Sequence, residues 1–162
     1  MRGDDDKYIR DLIAEGEHQQ QDFKFEITSS RKIAKTLVAF ANTDGGRLLI
    51  GVKDNGRISG IRSDEEYYMI EAAASLYCKP EVPFHFYKRS YEGKTVLEIL
   101  IEPSENKPHY ARDEDGRWLA YHRVDDNNYL ANKILLKVWE SRSSKKGTLV
   151  RYTEIEKKLM DL

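Results

Sequence analysis

The passage from Ile33 to Val52 constrains the fold more than any other part of the chain. Ile33, Ala34, Leu37, Val38 and Ala41 recur at helical spacing and form a broad apolar stripe. Asn42-Thr43-Asp44-Gly45-Gly46 then stops the helix, because glycine readily adopts the left-handed backbone that ends one. Leu48-Leu49-Ile50-Gly51-Val52 follows as a short, continuous apolar run, the pattern of a central strand. Asn55-Gly56 is a two-residue hairpin signal that returns the chain along Arg57 to Ile61.

The flanking segments extend this alternation of helix and strand. Tyr8, Ile9, Leu12 and Ile13 share one helical face, with Gly16 as the stop. Gln20 to Glu26 alternates strictly, which predicts a strand with Phe23 and Phe25 inward and Asp22, Lys24 and Glu26 on the other face. Ser29 or Ser30 caps the helix that carries the Ile33 stripe. Ser63-Asp64-Glu65-Glu66 has capping-box spacing and opens a helix closing before Lys79-Pro80. Phe84 to Tyr91 and Lys94 to Ile101 predict a hairpin turning at Glu92-Gly93. A loop with Pro103 and Pro108, a strand from Trp118 to Val124 and a helix from Tyr129 to Trp139 follow. The expected architecture is α+β: a mixed, largely antiparallel sheet with hairpins and flanking helices in a single domain. That domain spans residues 1–140, with a linker at 141–147 and a short C-terminal helix or dimer arm at 148–162.

Composition removes several classes of function. At 162 residues the chain can bury roughly 68–70% of its unfolded surface, and it needs no staple to fold. Its single cysteine, Cys78, excludes an intrachain disulfide and reads as a core residue. The longest apolar runs fall far short of the ~20 residues that cross a bilayer, so a soluble, cytoplasmic protein without a membrane partner is expected. Net charge is −1, which excludes a protein that coats nucleic acid by bulk charge. The charge is uneven, however. Met1 to Glu26 carries eight acids against four bases, and Lys137 to Lys158 carries seven bases against three acids.

Some motif-like strings fail on context. Gly93-Lys94-Thr95 lacks the earlier glycine of a phosphate loop, since Lys88 stands there, and it lies in a hairpin, so no P-loop nucleotide site is expected. Gly45-Gly46 follows a helix and precedes a strand, the wrong polarity for a phosphate cradle. His18, His85, His109 and His122 are scattered without zinc spacing.

Four blocks together carry a resemblance. They are Gly16-Glu17 with Asp22-Phe23-Lys24, Leu37 to Gly46, Leu48 to Gly56, and Asn106-Lys107-Pro108-His109-Tyr110 with Tyr121-His122-Arg123-Val124. The chain resembles the Schlafen-type AlbA-like domain, also called the divergent AAA domain, over roughly residues 10 to 140. The resemblance implies an α+β fold and binding of DNA or RNA. In animal Schlafen proteins the matching acidic positions form a metal-dependent ribonuclease site for structured RNA such as tRNA. Carried over, those positions are Glu17, Asp22 and Asp54, the candidate catalytic residues and ligands for Mg²⁺ or Mn²⁺. Asp22 stands where the family usually has glutamate, which withdraws that carboxylate by about one methylene.

The chemistry of the trio stands apart from the resemblance. Hard divalent cations prefer oxygen donors, and carboxylates from separate segments can build such a site. Lys24 shares the predicted face of Asp22 and can meet a phosphate. Basic and aromatic residues interleave in Lys107 to Arg112 and in Tyr121-His122-Arg123, a pattern suited to stacking on looped nucleic acid. Lys24, Lys107, Tyr121 and Arg123 are therefore the candidate nucleic-acid contacts. The first functional expectation is a standalone nucleic-acid-binding domain, acting as a homodimer and regulating at the transcriptional or RNA level. The alternatives are a divalent-metal-dependent endoribonuclease using Glu17, Asp22 and Asp54, and a nucleotide-sensing or protein-interaction regulator.

Overall fold

A computed structural model describes residues 2–144, with side chains from residue 5 to residue 142. The order of elements is α1 (Arg2–Glu15), β1 (Gln21–Lys24), α2 (Ser30–Asn42), β2 (Gly46–Ile50), α3 (Glu65–Leu76), β3 (Cys78–Lys79), β4 (His85–Tyr91), β5 (Lys94–Ile101), β6 (Tyr110–Arg112), β7 (Trp118–Val124), β8 (Asn127–Leu130) and α4 (Lys133–Ser144). The fold is α+β, as the sequence predicts, but the strands divide into two four-stranded sheets. The first has the order β1-β2-β5-β4, with β1 parallel to β2 and the other pairs antiparallel. The second, β3-β6-β7-β8, is antiparallel throughout.

Helix α2 lies between the sheets, and this explains its broad apolar stripe. Ile33, Leu37, Val38 and Phe40 pack with Leu48, Ile50, Leu97 and Ile99 of the first sheet and with Ala111 and Tyr121 of the second. Strand alternation sends Phe23, Leu49 and Val96 to the opposite face of the first sheet, where Ile9 and Leu12 of α1 cover them. Both faces of β2 are therefore covered, which is why its run is continuously apolar. Glu98 shares the α1 face at 0% exposure and is held by Arg47 Nε at 2.8 Å, Arg89 Nε at 3.0 Å and the donated hydroxyl of Tyr8. That ion cluster ties α1 to the sheet.

The Asn42–Gly46 block is the joint of the structure. Asn42 Nδ2 donates to the carbonyls of His109 and Tyr121, both at 2.9 Å, and its Oδ1 accepts the His109 N–H at 2.7 Å. Thr43 Oγ1 donates to Ala39 O and accepts the Arg123 N–H. Gly45 has φ +72°, and a Cβ there would stand 2.5 Å from Ile101 O. A Cβ at Gly46 would meet the Phe40 ring at 2.5 Å. No residue but glycine fits this turn without displacing the helix from the strand.

Several local expectations are corrected. β1 ends at Lys24, whose carbonyl accepts the Gly51 and Val52 N–H groups, so Phe25 turns out to solvent at 46% exposure. Asp22 is buried, because the second sheet covers the face expected to be wet. Residues 127–130 form strand β8 after a turn at Asp125 (φ +53°), and the helix begins at Lys133 instead of Tyr129. The segment Tyr110–Arg112, read as loop, is β6. Helix α4 runs through Ser141 to Ser144, the first part of the expected linker; residues 145–162, including the expected arm, lie outside the described residues. The Glu92-Gly93 turn and the β4–β5 hairpin form as predicted, with Gly93-Lys94-Thr95 inside it. Burial pushes the Cys78 thiol up to about 12, which fits an inert core residue. No helix among the described residues is long and apolar enough to cross a membrane.

Candidate nucleic-acid interface

Glu17 follows the turn that ends α1 at Gly16, and Asp22 lies on β1. Glu17 Oε1 accepts the Phe23 N–H at 3.0 Å, which folds its carboxylate back over β1 beside Asp22. Burial raises the Glu17 carboxyl above the ordinary glutamate value. The Phe23 hydrogen bond opposes that shift, while the neighbouring Asp22 side chain and the charge of Asp54 add to it. Two carboxylates thus stand together, with Asp54 within electrostatic reach of Glu17 on the exposed turn after Val52.

Asp22 is 5% exposed and sits among cations. Arg123 Nη2 lies 3.6 Å from Oδ1, and Lys24 Nζ lies 3.2 Å from Oδ2 without hydrogen-bond geometry. Among the described residues Oδ2 has no hydrogen-bond donor. An orphaned buried oxygen beside a second carboxylate is a donor set that suits a hard divalent cation. Glu17 and Asp22 fit that role. Asp54 does not complete it, since no three acidic, histidine or cysteine side chains among the described residues are grouped to hold a metal.

The four candidate nucleic-acid contacts divide. Lys24 is half-exposed and lines a cleft beside the first turn of α2. Lys107 is half-buried and donates to Thr43 O at 3.4 Å, at the other end of that helix. Thirteen residues of helix span about 20 Å, so these two lysines do not converge. Burial lowers the Lys107 ammonium below the usual lysine value, against the favourable charge of Asp44. Tyr121 is buried at 8% exposure, with the Lys35 ammonium 5.1 Å over its ring.

Arg123 is 2% exposed, and the surface role expected for it is corrected. Nη1 donates to Asn128 Oδ1 at 3.0 Å, and Nη2 donates to the carbonyls of His18 and Gln21 at 3.0 and 3.1 Å. The guanidinium also lies 4.8 Å over the Phe40 ring. Its work is to clamp β1, α2 and β8 together.

Sequence reasoning missed Lys32 and Lys35, which share the cleft with Lys24. The signal was present: the first turn of α2 carries no acid, although acids favour helix starts. Both lysines are exposed, and neither ammonium has an acidic partner among the described residues.

Comparison with known proteins agrees with this architecture. A crystal structure of the DIP2311 protein from Corynebacterium diphtheriae matches with TM-score 0.57 and 21% identity, covering 75% of this chain and 24% of that one. A solution structure from Nitrosomonas europaea, the N-terminal domain of a protein related to the ATP-dependent DNA helicase RecG, matches with TM-score 0.55 and 21% identity. It is covered over 95% of its length, against 80% of this chain. This chain spans about a quarter of the Corynebacterium protein, and both likenesses concern the fold. No protein with a curated description matches. The model of the family described as Schlafen, AlbA_2 matches residues 17–132, which include the Glu17–Asp22 pair, the Asn42–Gly46 joint and both sheets, and the chain belongs to that family.

Proposed function

We propose that this domain binds nucleic acid at the corner formed by Glu17, Asp22 and Lys24. One observation carries the reading: the buried Asp22 carboxylate lies beside Glu17 with a half-exposed lysine 3.2 Å from it. Family membership supports it, as does the likeness to a domain of a protein related to a DNA helicase. Lys24 attracts a backbone phosphate, and the carboxylates limit how closely that phosphate approaches without a cation between them. The test is fluorescence anisotropy with labelled RNA and DNA at ~50 mM salt, where phosphate contacts are strongest. Binding that weakens in Lys24→Ala supports the reading, and absence of binding to every oligonucleotide refutes it.

The orphaned Asp22 oxygen beside the raised Glu17 carboxyl favours a second reading, metal-dependent cleavage of RNA. Glu17 and Asp22 would hold Mg²⁺ or Mn²⁺, and a cation there supplies charge neutralisation for a phosphoryl group. The residues themselves orient the phosphate through Lys24, and Arg123 places a buried positive charge 3.6 Å from Asp22 Oδ1. Cutting of tRNA that requires Mn²⁺ and disappears in Asp22→Asn distinguishes this reading from binding alone.

A further inference from the structure

The cleft beside the first turns of α2 has a volume of 390 Å³, inside the range of roughly 300–1,000 Å³ typical of ligand pockets. Lys24, Lys32 and Lys35 line it with the hydroxyl-bearing Thr28, Ser29 and Thr36, and Glu26 is the one acid on its wall. The charge comes from side chains rather than from the helix end. Ser29 Oγ already accepts the Lys32 N–H, and Ser29 O accepts the Ile33 N–H.

The cleft is wired to the carboxylate pair. Asn128 on its wall donates to Thr36 Oγ1 at 3.1 Å and accepts from Arg123 Nη1 at 3.0 Å. Arg123 in turn lies 3.6 Å from Asp22 Oδ1. On the open side Lys24 spans the same gap, with its ammonium on the unsatisfied Asp22 Oδ2 and its stem in the cleft. Three lysines lining one cleft with hydroxyl and amide side chains make a site for a tetrahedral or diester anion, and Lys24 already touches the buried Asp22 carboxylate at its edge.

We infer that this cleft is a phosphate subsite, in which Lys32 and Lys35 grip the backbone phosphate next to the one held by Lys24. The inference rests on the nucleic-acid reading above and assigns it a path: the strand leaves the Glu17–Asp22 corner across the first two turns of α2. A phosphate monoester on a free nucleotide shares the same chemistry, and the test separates the two sources.

The test uses the full chain, a fluorescein-labelled single-stranded 12-mer of RNA and its DNA equivalent, and uridine monophosphate titrated by calorimetry. Lys32 and Lys35 are exposed, so Lys32→Ala/Lys35→Ala leaves the fold intact. Lys88→Ala is the control, because Lys88 lies on β4, at the far edge of the first sheet from β1, and pairs with Asp64. The double variant is expected to bind the 12-mer at least tenfold more weakly. Its salt slope should fall by about 0.7, the value for one lost phosphate contact on a single strand. The control should match wild type. An unchanged affinity and slope in the double variant, with wild type still binding, overturns the phosphate subsite and leaves the nucleic-acid reading standing. Binding of uridine monophosphate that the double variant loses, without any binding of polymer, keeps the phosphate site and sinks the polynucleotide reading. Binding of neither overturns both.

Discussion

Removing Arg123 tests whether its guanidinium is a clamp or a contact. Arg123→Ala strips charge-assisted hydrogen bonds from Asn128 Oδ1, His18 O and Gln21 O, and it takes the buried cation away from Asp22. Asn128 Oδ1, left unpaired, costs about 1–3 kcal/mol, while His18 O and Gln21 O each keep a backbone donor; breaking a buried ion pair by removing one partner costs about 3–5 kcal/mol. These contributions share one network and do not add, so the expected loss is about 3–5 kcal/mol in total. With a urea m-value of about 2 kcal/mol/M, the unfolding midpoint should fall by roughly 2 M at unchanged slope. Arg123→Lys should recover only part of the loss, because an ammonium cannot reproduce the three-way fork over the Phe40 ring. Circular dichroism during urea titration reads all three proteins. An Arg123→Ala midpoint equal to wild type would refute the clamp and return Arg123 to the surface.

Other perturbations probe separate parts of the structure. Glu17→Gln should stabilise the protein at neutral pH: the folded carboxyl is raised, so its favourable contribution is present at low pH and is lost as pH rises through the folded value. The advantage of Gln should therefore vanish on acidification in a thermal melt series; a variant less stable than wild type at neutral pH would contradict the raised carboxyl. Tyr8→Phe removes a hydrogen bond to the buried Glu98 carboxylate and should cost about 1.5–3 kcal/mol by urea denaturation, with α1 amides losing hydrogen-exchange protection first. Gly45→Ala forces a Cβ against Ile101 O at a positive φ, and it should cost about 1–3 kcal/mol. A neutral Gly45→Ala would mean that the turn relaxes.

Where structure follows from near neighbours, the sequence is legible. The α2 stripe, the Gly45-Gly46 stop, the continuous run of β2 and the Glu92-Gly93 hairpin each declare themselves within a few residues, and each forms. β8 escapes because its four residues, Asn127-Asn128-Tyr129-Leu130, are short and polar and turn at an aspartate rather than a glycine. Phe25 misleads because strict alternation continues past Lys24, while the carbonyl of Lys24 is already spent on Gly51 and Val52. Arg123 misleads most, since His18 and Gln21, which bury it, stand about a hundred residues earlier.

The blocks that carry the family resemblance are largely architectural. Asn42, Thr43, Gly45, His109 and Arg123 hold the two sheets to α2. His109 is buried with Nδ1 against Pro80 O and Nε2 against the Ser104 hydroxyl, and burial lowers its pKa, as befits a neutral structural histidine. Function is better sought at the rim, where Glu17, Asp22 and Lys24 meet the cleft of Lys32 and Lys35. Those rim residues obey no strong local pattern, so the sequence marks only some of them.

Engagement of nucleic acid by the Glu17–Asp22–Lys24 corner can be read in solution. The most direct measurement is anisotropy of a labelled RNA and DNA panel at ~50 mM salt, with and without Mn²⁺, for wild type, Lys24→Ala and Asp22→Asn. Wild type should bind, Lys24→Ala should bind more weakly, and Asp22→Asn should abolish the Mn²⁺ response. Absence of binding to any member of the panel, with or without the metal, would contradict that engagement.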